Sequence, residues 1–441
     1  MSVLWLACVL AALVEAIAPD AGITVGELST VWEHRLGLDQ GEYATGETAD
    51  LDGDGTLEVL IHVGHRDAPS RAVALDGETG ERLWVARFPK HSDSVAADLD
   101  GDGACEVVVA CGDSVYALTG STGAYLSRRG LRGAFGELAS CRLSGEGDSV
   151  VCTSGDGRGD VLAGFTGTEL EERWSVESEP GEGRFRRGFA WPTAVDVDGD
   201  GTEETVAAEN GGRLRCVSAR GETMWTTVLG VCERLNPEGV LSSSPVVADL
   251  LPGGSLELAA GCFAGAVLVL DAETGAELSR GQFGRASHDR HIANTLIPAF
   301  IRRALGQTGE PVNCLTAVDV DGVQGEDLLL GCSDGHLYAW SPSREALIWT
   351  LDTDGNLYEP CVPVRERRSE RPLVLAWDEK RAYAVRTGDG SALPLFGDRG
   401  AAGGLLVEDL DEDGKLELVR IESRSGRVSM MTTELEAWRE H

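Results

Sequence analysis

Apolar positions along this chain fall in short runs that recur in a fixed order. One unit shows the order in full. Pro245-Val246-Val247-Ala248 enters an acidic loop, and Leu256-Glu257-Leu258-Ala259-Ala260 leaves it. A Gly-rich turn then leads to Ala266-Val267-Leu268-Val269-Leu270, and Asp271-Ala272-Glu273-Thr274-Gly275 turns the chain into a fourth segment. Aliphatic runs bounded by Gly, Asp and Thr read as strands joined by tight turns. Four short strands per unit describe one blade of a propeller. A single blade cannot cover both of its faces, so neighbouring blades must supply the core.

Aligning the acidic loops gives a period of about 50 residues. Loops start at Asp50, Asp98, Asp196, Asp249, Asp319 and Asp409. The interval from Asp98 to Asp196 is a double period and takes a worn copy, with Cys141 at the loop start and Val150-Val151-Cys152 as the following strand. A second worn copy precedes Asp409, with Leu373-Val374-Leu375-Ala376 as its strand. The chain therefore reads as all-β: a single β-propeller over residues 30–441, of eight four-stranded blades, with seven as the alternative count. Gly at 57 copies and aromatics at 6% fit a turn-dense β protein. Two closures of the ring stay open: Thr30 to Leu36 completes the last blade, or Leu435 to Glu440 does.

The loops carry the clearest chemistry. Four are complete: Asp50-x-Asp52-x-Asp54-Gly55-Thr56-x-Glu58, Asp98-x-Asp100-x-Asp102-Gly103-Ala104-x-Glu106, Asp196-x-Asp198-x-Asp200-Gly201-Thr202-x-Glu204, and Asp409-x-Asp411-x-Asp413-Gly414-Lys415-x-Glu417. Carboxylates at positions 1, 3 and 5 are hard oxygen donors spaced to converge on one cation. Gly at position 6 permits a sharp turn, position 7 offers its backbone carbonyl, and the acid at 9 closes the cage. The expected cofactor is Ca2+, several ions with a mainly structural role. A solvated acidic turn is the bland alternative, and it leaves adjacent carboxylates to repel one another. At Asp249 positions 3 and 5 are lost, and at Asp319 position 5 is lost, so the first is expected to be empty and the second is open.

A second mark lies in the turn before the fourth strand. Asp76-Gly77-Glu78-Thr79-Gly80-Glu81-Arg82-Leu83-Trp84 is its fullest copy, with weaker ones ending at Gly275, Trp225 and Trp349. Asp and Thr can bond turn backbone, Gly takes the left-handed position, and Trp is read as a wedge between blades. The acidic loops resemble the FG-GAP (VCBS) repeats of integrin-α-like propellers. The Asp-Gly-x-Thr-Gly-x-x-x-Trp turn is similar to the tryptophan-docking motif of quinoprotein-like propellers. Together the two resemblances cover the chain from about residue 30. They imply a propeller with calcium at blade loops on one rim, in families that span adhesion, glycan binding, scaffolding and some polysaccharide lyases. Fold does not settle function among these.

Charge narrows the partners. The formal net charge is -35, from 73 acids against 38 bases, and Lys occurs only at positions 90, 380 and 415. Such a surface argues against nucleic acid and anionic lipid. Residues 1–18 read as a signal peptide: Val3 to Val14 is apolar, and Ala16-Ile17-Ala18 precedes Pro19, although no Lys or Arg precedes the apolar run. The run is too short for a transmembrane span. The expected location is secreted, periplasmic or cell surface, against a cytosolic scaffold whose N-terminus is simply a strand. Eleven cysteines are present. Cys111, Cys262 and Cys332 each sit five residues after the loop's closing acid, which marks them as small core residues, and no disulfide pair is assigned.

No Gly-x-Ser-x-Gly elbow, phosphate loop, zinc helix or set of quinone ligands stands out. Two weaker groupings do. The connection 284–311 is an insertion carrying His288 and His291 beside Asp289 and Arg290, a candidate metal or acid–base pair set against solvated loop histidines. Arg184, Arg186, Arg187 and Trp191 form a basic, aromatic segment suited to an anionic sugar, set against local charge balance and core packing. The expectation is a non-enzymatic calcium-binding module for a protein or glycan. The alternative is a polysaccharide lyase or hydrolase acting on acidic glycans.

Overall fold

Each repeat folds as a four-stranded antiparallel meander, and eight of them form a ring. The blades span residues 43–88, 92–130, 134–177, 190–228, 246–282, 312–352, 362–394 and 405–432. This computed structural model describes residues 28–437 except 40–41, 65–68, 91, 144–146, 156–159, 179–188, 210–212, 229–242, 263–264, 285–310, 354, 358–359, 367–371, 379–380, 396–403, 411–412, 423–424 and 434. All assigned elements among the described residues are strands. Both worn copies are blades: Cys141 ends a first strand, and Leu373 to Ala376 lie in a second strand. The eight-blade count holds.

First strands of neighbouring blades touch around the ring, at blades 1–2, 2–3, 3–4, 5–6 and 8–1, so they line the axis. Second strands are buried on both faces. In Glu58–Gly64 every residue is buried, with Val59, Ile61 and Val63 packing toward blade 8 and Leu60 toward blade 2. Strand alternation thus feeds two cores at once, which is why these strands read as continuous apolar runs. Eight hydrophobic clusters result, one at each blade junction.

The first of the two open closures is the one formed. Ser29–Arg35 is the outer strand of blade 8, antiparallel to Arg427–Thr432, with Ser29 opposite Thr432 and Arg35 opposite Arg427. Leu435–Ala437 instead pairs with the free edge of Val362–Glu366, giving blade 7 a fifth strand.

Five outer strands bear a tryptophan that docks on the next blade's turn. Trp32, Trp84 and Trp225 donate their indole N–H to the carbonyls of Gly77, Gly120 and Ala272 at 2.6–2.9 Å, and Trp349 donates to Thr387. Trp174 packs against blade 4's turn. The rings of Trp32, Trp84, Trp174, Trp225 and Trp349 lie under Gly80, Gly123, Gly221, Gly275 and Gly390, where an added Cβ would come within 2.4–2.7 Å of the tryptophan. All five glycines have positive φ. In blades 2 and 5 the docking residue is Ser127 or Ser279, and there the facing turns carry Leu170 and Glu345, the two non-glycine residues with positive φ among those described. Glycine is demanded by the indole as much as by the backbone. Each of these seven outer strands also skips one residue just before the docking position, as between Arg82 and Trp84. Such a bulge twists an edge strand away from edge-to-edge pairing.

Candidate functional site

Each acidic loop joins the first strand of its blade to the second, so all lie at one end of the ring, beside the tryptophan-docking turns. Backbone bonds link loop to loop between blades. Cys105 N–H donates to the Asp50 carbonyl at 2.7 Å, Asp148 to Asp98 at 2.6 Å, Glu203 to Arg142 at 2.7 Å, and Glu326 to Asp249 at 2.6 Å. The loops therefore belong to the blade junctions as well as to the rim.

Carboxylates at positions 1, 3 and 9 converge. In the groups Asp50–Asp52–Glu58, Asp98–Asp100–Glu106 and Asp196–Asp198–Glu204, one oxygen from each residue lies within 4.8 Å of the others. Local bonds hold this arrangement. Asp50 accepts the N–H of Gly53 at 2.7 Å on one oxygen and of Gly55 at 3.0 Å on the other. Glu58 is buried, and its Oε2 accepts the Leu51 N–H at 2.8 Å. Leu99 and Val197 donate in the same way to Glu106 and Glu204. Position 5 stands outside the trio: Asp54 takes the N–H and hydroxyl of Thr56, Asp200 those of Thr202, and Asp102 the N–H of Ala104. Burial first, and then the neighbouring aspartates, push the Glu58 and Glu106 carboxyls up to about 7, against the restraint of the backbone bond each accepts. Glu204 is raised for the same reasons.

In the fourth complete loop Asp411 is outside the described residues. Asp409 accepts from Gly414 at 2.9 Å, Glu417 accepts from Leu410 at 3.0 Å, and Lys415 bonds Asp413 through both its backbone N–H and its ammonium. The Asp409 Oδ1 atom is buried and has no bonding partner among the described residues. At Asp249 the closing acid is satisfied locally, because Glu257 accepts from Leu250, Leu251 and Ser255, while the buried Asp249 Oδ1 has no bonding partner among the described residues. Blade 6 differs again. Asp319, Asp321 and Asp327 converge as in the complete loops, but Arg344 places its guanidinium on Asp321.

In the three complete loops whose trios converge, the donors are all carboxylate oxygens, each trio held by backbone bonds and partly buried. That set suits a hard divalent cation. A bound ion would add charge compensation and a link between the two ends of the loop.

The histidine candidates His288 and His291 lie outside the described residues, as do Arg184, Arg186, Arg187 and residues 1–18, the segment read from the sequence as a signal peptide. Of the 284–311 connection only Gly284 and Pro311 are described. The backbone of Trp191 runs in strand Ala190–Val195. Next to it sits a feature that sequence reasoning missed: Arg215, buried, pairs with Glu209 at 2.7 Å and stacks on Phe189 at 5.5 Å. The nine cysteines among the described residues are free thiols, eight of them buried. No helix among the described residues is long and apolar enough to cross a membrane.

A family model described as outer membrane protein assembly factor BamB matches residues 68–297. No curated protein matches the chain. Several solved structures share the fold. Rhamnogalacturonan lyase YesW aligns over 95% of this chain and 76% of its own, with TM-score 0.63 and 16% identity. BamB from Moraxella catarrhalis aligns over 94% and 99%, with TM-score 0.51 and 16% identity. Quinohemoprotein alcohol dehydrogenase from Comamonas testosteroni aligns over 94% and 78%, with TM-score 0.63 and 13% identity. At these identities the likeness is one of fold.

Proposed function

This chain belongs to the family described as outer membrane protein assembly factor BamB, and from that premise we propose that it is an extracytoplasmic, calcium-stabilised binding wheel without catalytic activity, engaging a protein or glycan partner. The observation that carries the calcium part is the same carboxylate trio repeated at one end of three blades, in loops that also bond neighbouring blades together. An ion in such a loop stabilises the native ring through linkage, because the unfolded chain has no preformed cage. The family match supports the binding part: it describes an assembly factor, and eight similar blades offer a broad rim for a macromolecule.

Blade 6 supplies an internal control. Arg344 brings a fixed positive charge to a trio that otherwise matches the calcium loops. Arg344→Ala is expected to add one bound calcium per chain, counted by metal analysis of dialysed protein. An unchanged count would remove the equivalence between this loop and the others.

The lyase form of the alternative, eliminative cleavage of acidic glycans, is tested directly. Calcium-loaded protein is incubated with polygalacturonate, rhamnogalacturonan and alginate, and unsaturated products are followed by ultraviolet absorbance. The binding-wheel reading expects no turnover, and retention of a subset of glycans or envelope proteins on the immobilised protein. Release of unsaturated oligosaccharides above the background of a heat-denatured control would overturn the non-enzymatic reading.

A further inference from the structure

Acidic loops account for much of the chain's negative charge, but one cleft among the described residues is lined by positive charge. A cleft of ≈ 280 Å³ opens where the closing strand Ser29–Arg35 meets the outer two strands of blade 1, and its walls include His34, Arg35, Asp39, Arg71, Arg82 and Arg87. The register explains the clustering. Ser70–Leu75 and Arg82–Phe88 pair Arg71 with Arg87, Val73 with Val85 and Leu75 with Arg82, which puts all three arginines on one face of the sheet. That face packs toward blade 8 through Val73 and Leu75, and the closing strand adds His34 and Arg35 from across the junction.

Among the described residues, Arg71 is the one cleft arginine neutralised by a buried carboxylate. Arg71 forks onto Glu42 at 2.8 and 3.2 Å and donates to the carbonyls of Leu36 and Gly37 at 3.2 and 3.3 Å. Its side chain is 14% exposed, so it is a fixed wall of the cleft. Arg82 and Arg87 have no carboxylate partner among the described residues, and Arg35 reaches only Glu33 at 3.6 Å. Like charges directly opposed across two strands are unfavourable. Arg82 and Arg87 nevertheless meet no carboxylate among the described residues.

We propose that this cleft is an anion site that takes a compact oxyanion group, a carboxylate, phosphate or sulfate carried by a small polar ligand, gripped by Arg82 and Arg87 with Arg35 at the mouth. Guanidinium forks match the planar or tetrahedral oxygens of such groups and supply two parallel donors each. The site shares no residue with the acidic loops, so it stands or falls separately from the calcium reading.

The test titrates full-length protein calorimetrically with sodium sulfate, inorganic phosphate and galacturonate, at constant ionic strength set by chloride and with no added calcium. At least one anion is expected to bind with one-to-one stoichiometry. Arg82→Gln with Arg87→Gln should weaken that binding by about 10–100-fold, as expected when charged hydrogen bonds are lost. The double variant keeps the buried Arg71–Glu42 pair, so its melting temperature in chloride should match or exceed that of the parent, and this separates lost binding from lost folding. Binding of galacturonate alone identifies a sugar-acid site, whereas binding of phosphate or sulfate identifies a phosphoryl or sulfated ligand; either supports the proposal. If no anion binds more tightly than chloride, or the double variant binds as the parent does, the proposal is overturned.

Discussion

Stripping calcium with a chelator at pH 8 should lower the melting temperature by roughly 10 °C. Each site kept at calcium near a hundred times its dissociation constant contributes about 2.7 kcal/mol to native stability. Three trios together, in a chain of this length, then shift the transition by roughly that amount. The expected effect depends on pH, and its sign follows from the carboxyls. Without a cation, Glu58 and Glu106 hold their proton up to about 7, against an ordinary 4.5. The folded, ion-free protein thus keeps protons that the unfolded chain has already lost in that window. The stability that these two carboxyls contribute is fully present below about pH 4.5 and is lost as pH rises through about 7. Calcium replaces those protons, so its gain should be large at pH 8 and small at pH 5. Scanning calorimetry at pH 5, 6, 7 and 8, with calcium and with chelator, reads both trends. Identical melting curves at pH 8 would end the calcium proposal. Asp52→Asn and Asp100→Asn should each remove part of the calcium gain without changing the chelated baseline.

The second large effect belongs to the docking tryptophans. Trp32→Ser should cost about 3–5 kcal/mol, the usual loss for deleting a buried large aromatic. It also leaves the Gly77 carbonyl without the indole donor. Gly80→Ala should cost about 1–3 kcal/mol as overpacking, because its new Cβ would lie 2.5 Å from the Trp32 ring, with strain from φ +68 in addition. The two changes should not add. With serine at position 32 the collision disappears, as it has where Ser127 faces Leu170 and Ser279 faces Glu345. A double-mutant cycle in urea should give a coupling of about 1–3 kcal/mol in the direction of compensation. Additivity within about 0.5 kcal/mol would show that backbone φ alone, and not the indole, dictates glycine there.

Much of the architecture was legible in the sequence because every blade repeats the same local chemistry. Asp-x-Asp-Gly-Asp-Gly specifies a loop whichever blade it sits in, and spacing alone located the worn blades at Cys141 and Leu373. Closure was not legible. Ser29–Arg35 and Leu435–Ala437 are both short amphipathic strands, and neither carries a loop that names its partner. Within the loops, positions 1, 3 and 9 meet as the spacing implies, whereas position 5 turns to cap the backbone of position 7. That choice depends on the competing donor two residues on. The Arg344 contact with Asp321 was invisible because it joins a tight turn to a loop 23 residues away. The basic cleft was hidden for a similar reason: His34, Arg71 and Arg87 lie far apart in sequence, and each alone reads as a solvated charge.

The latch formed by Ser29–Arg35 has a mechanical corollary. Ser29 lies opposite Thr432, so the two stretches of chain leave the seam at the same end. A load pulling them apart would peel the pair open rung by rung instead of shearing all rungs at once, and resistance along that direction should be low. Leu435–Ala437, hooked onto blade 7, diverts part of such a pull away from the seam and into the neighbouring sheet. Tethering this protein by its two ends would therefore load this seam in its peeling direction, whereas attachment through the blades would spare it.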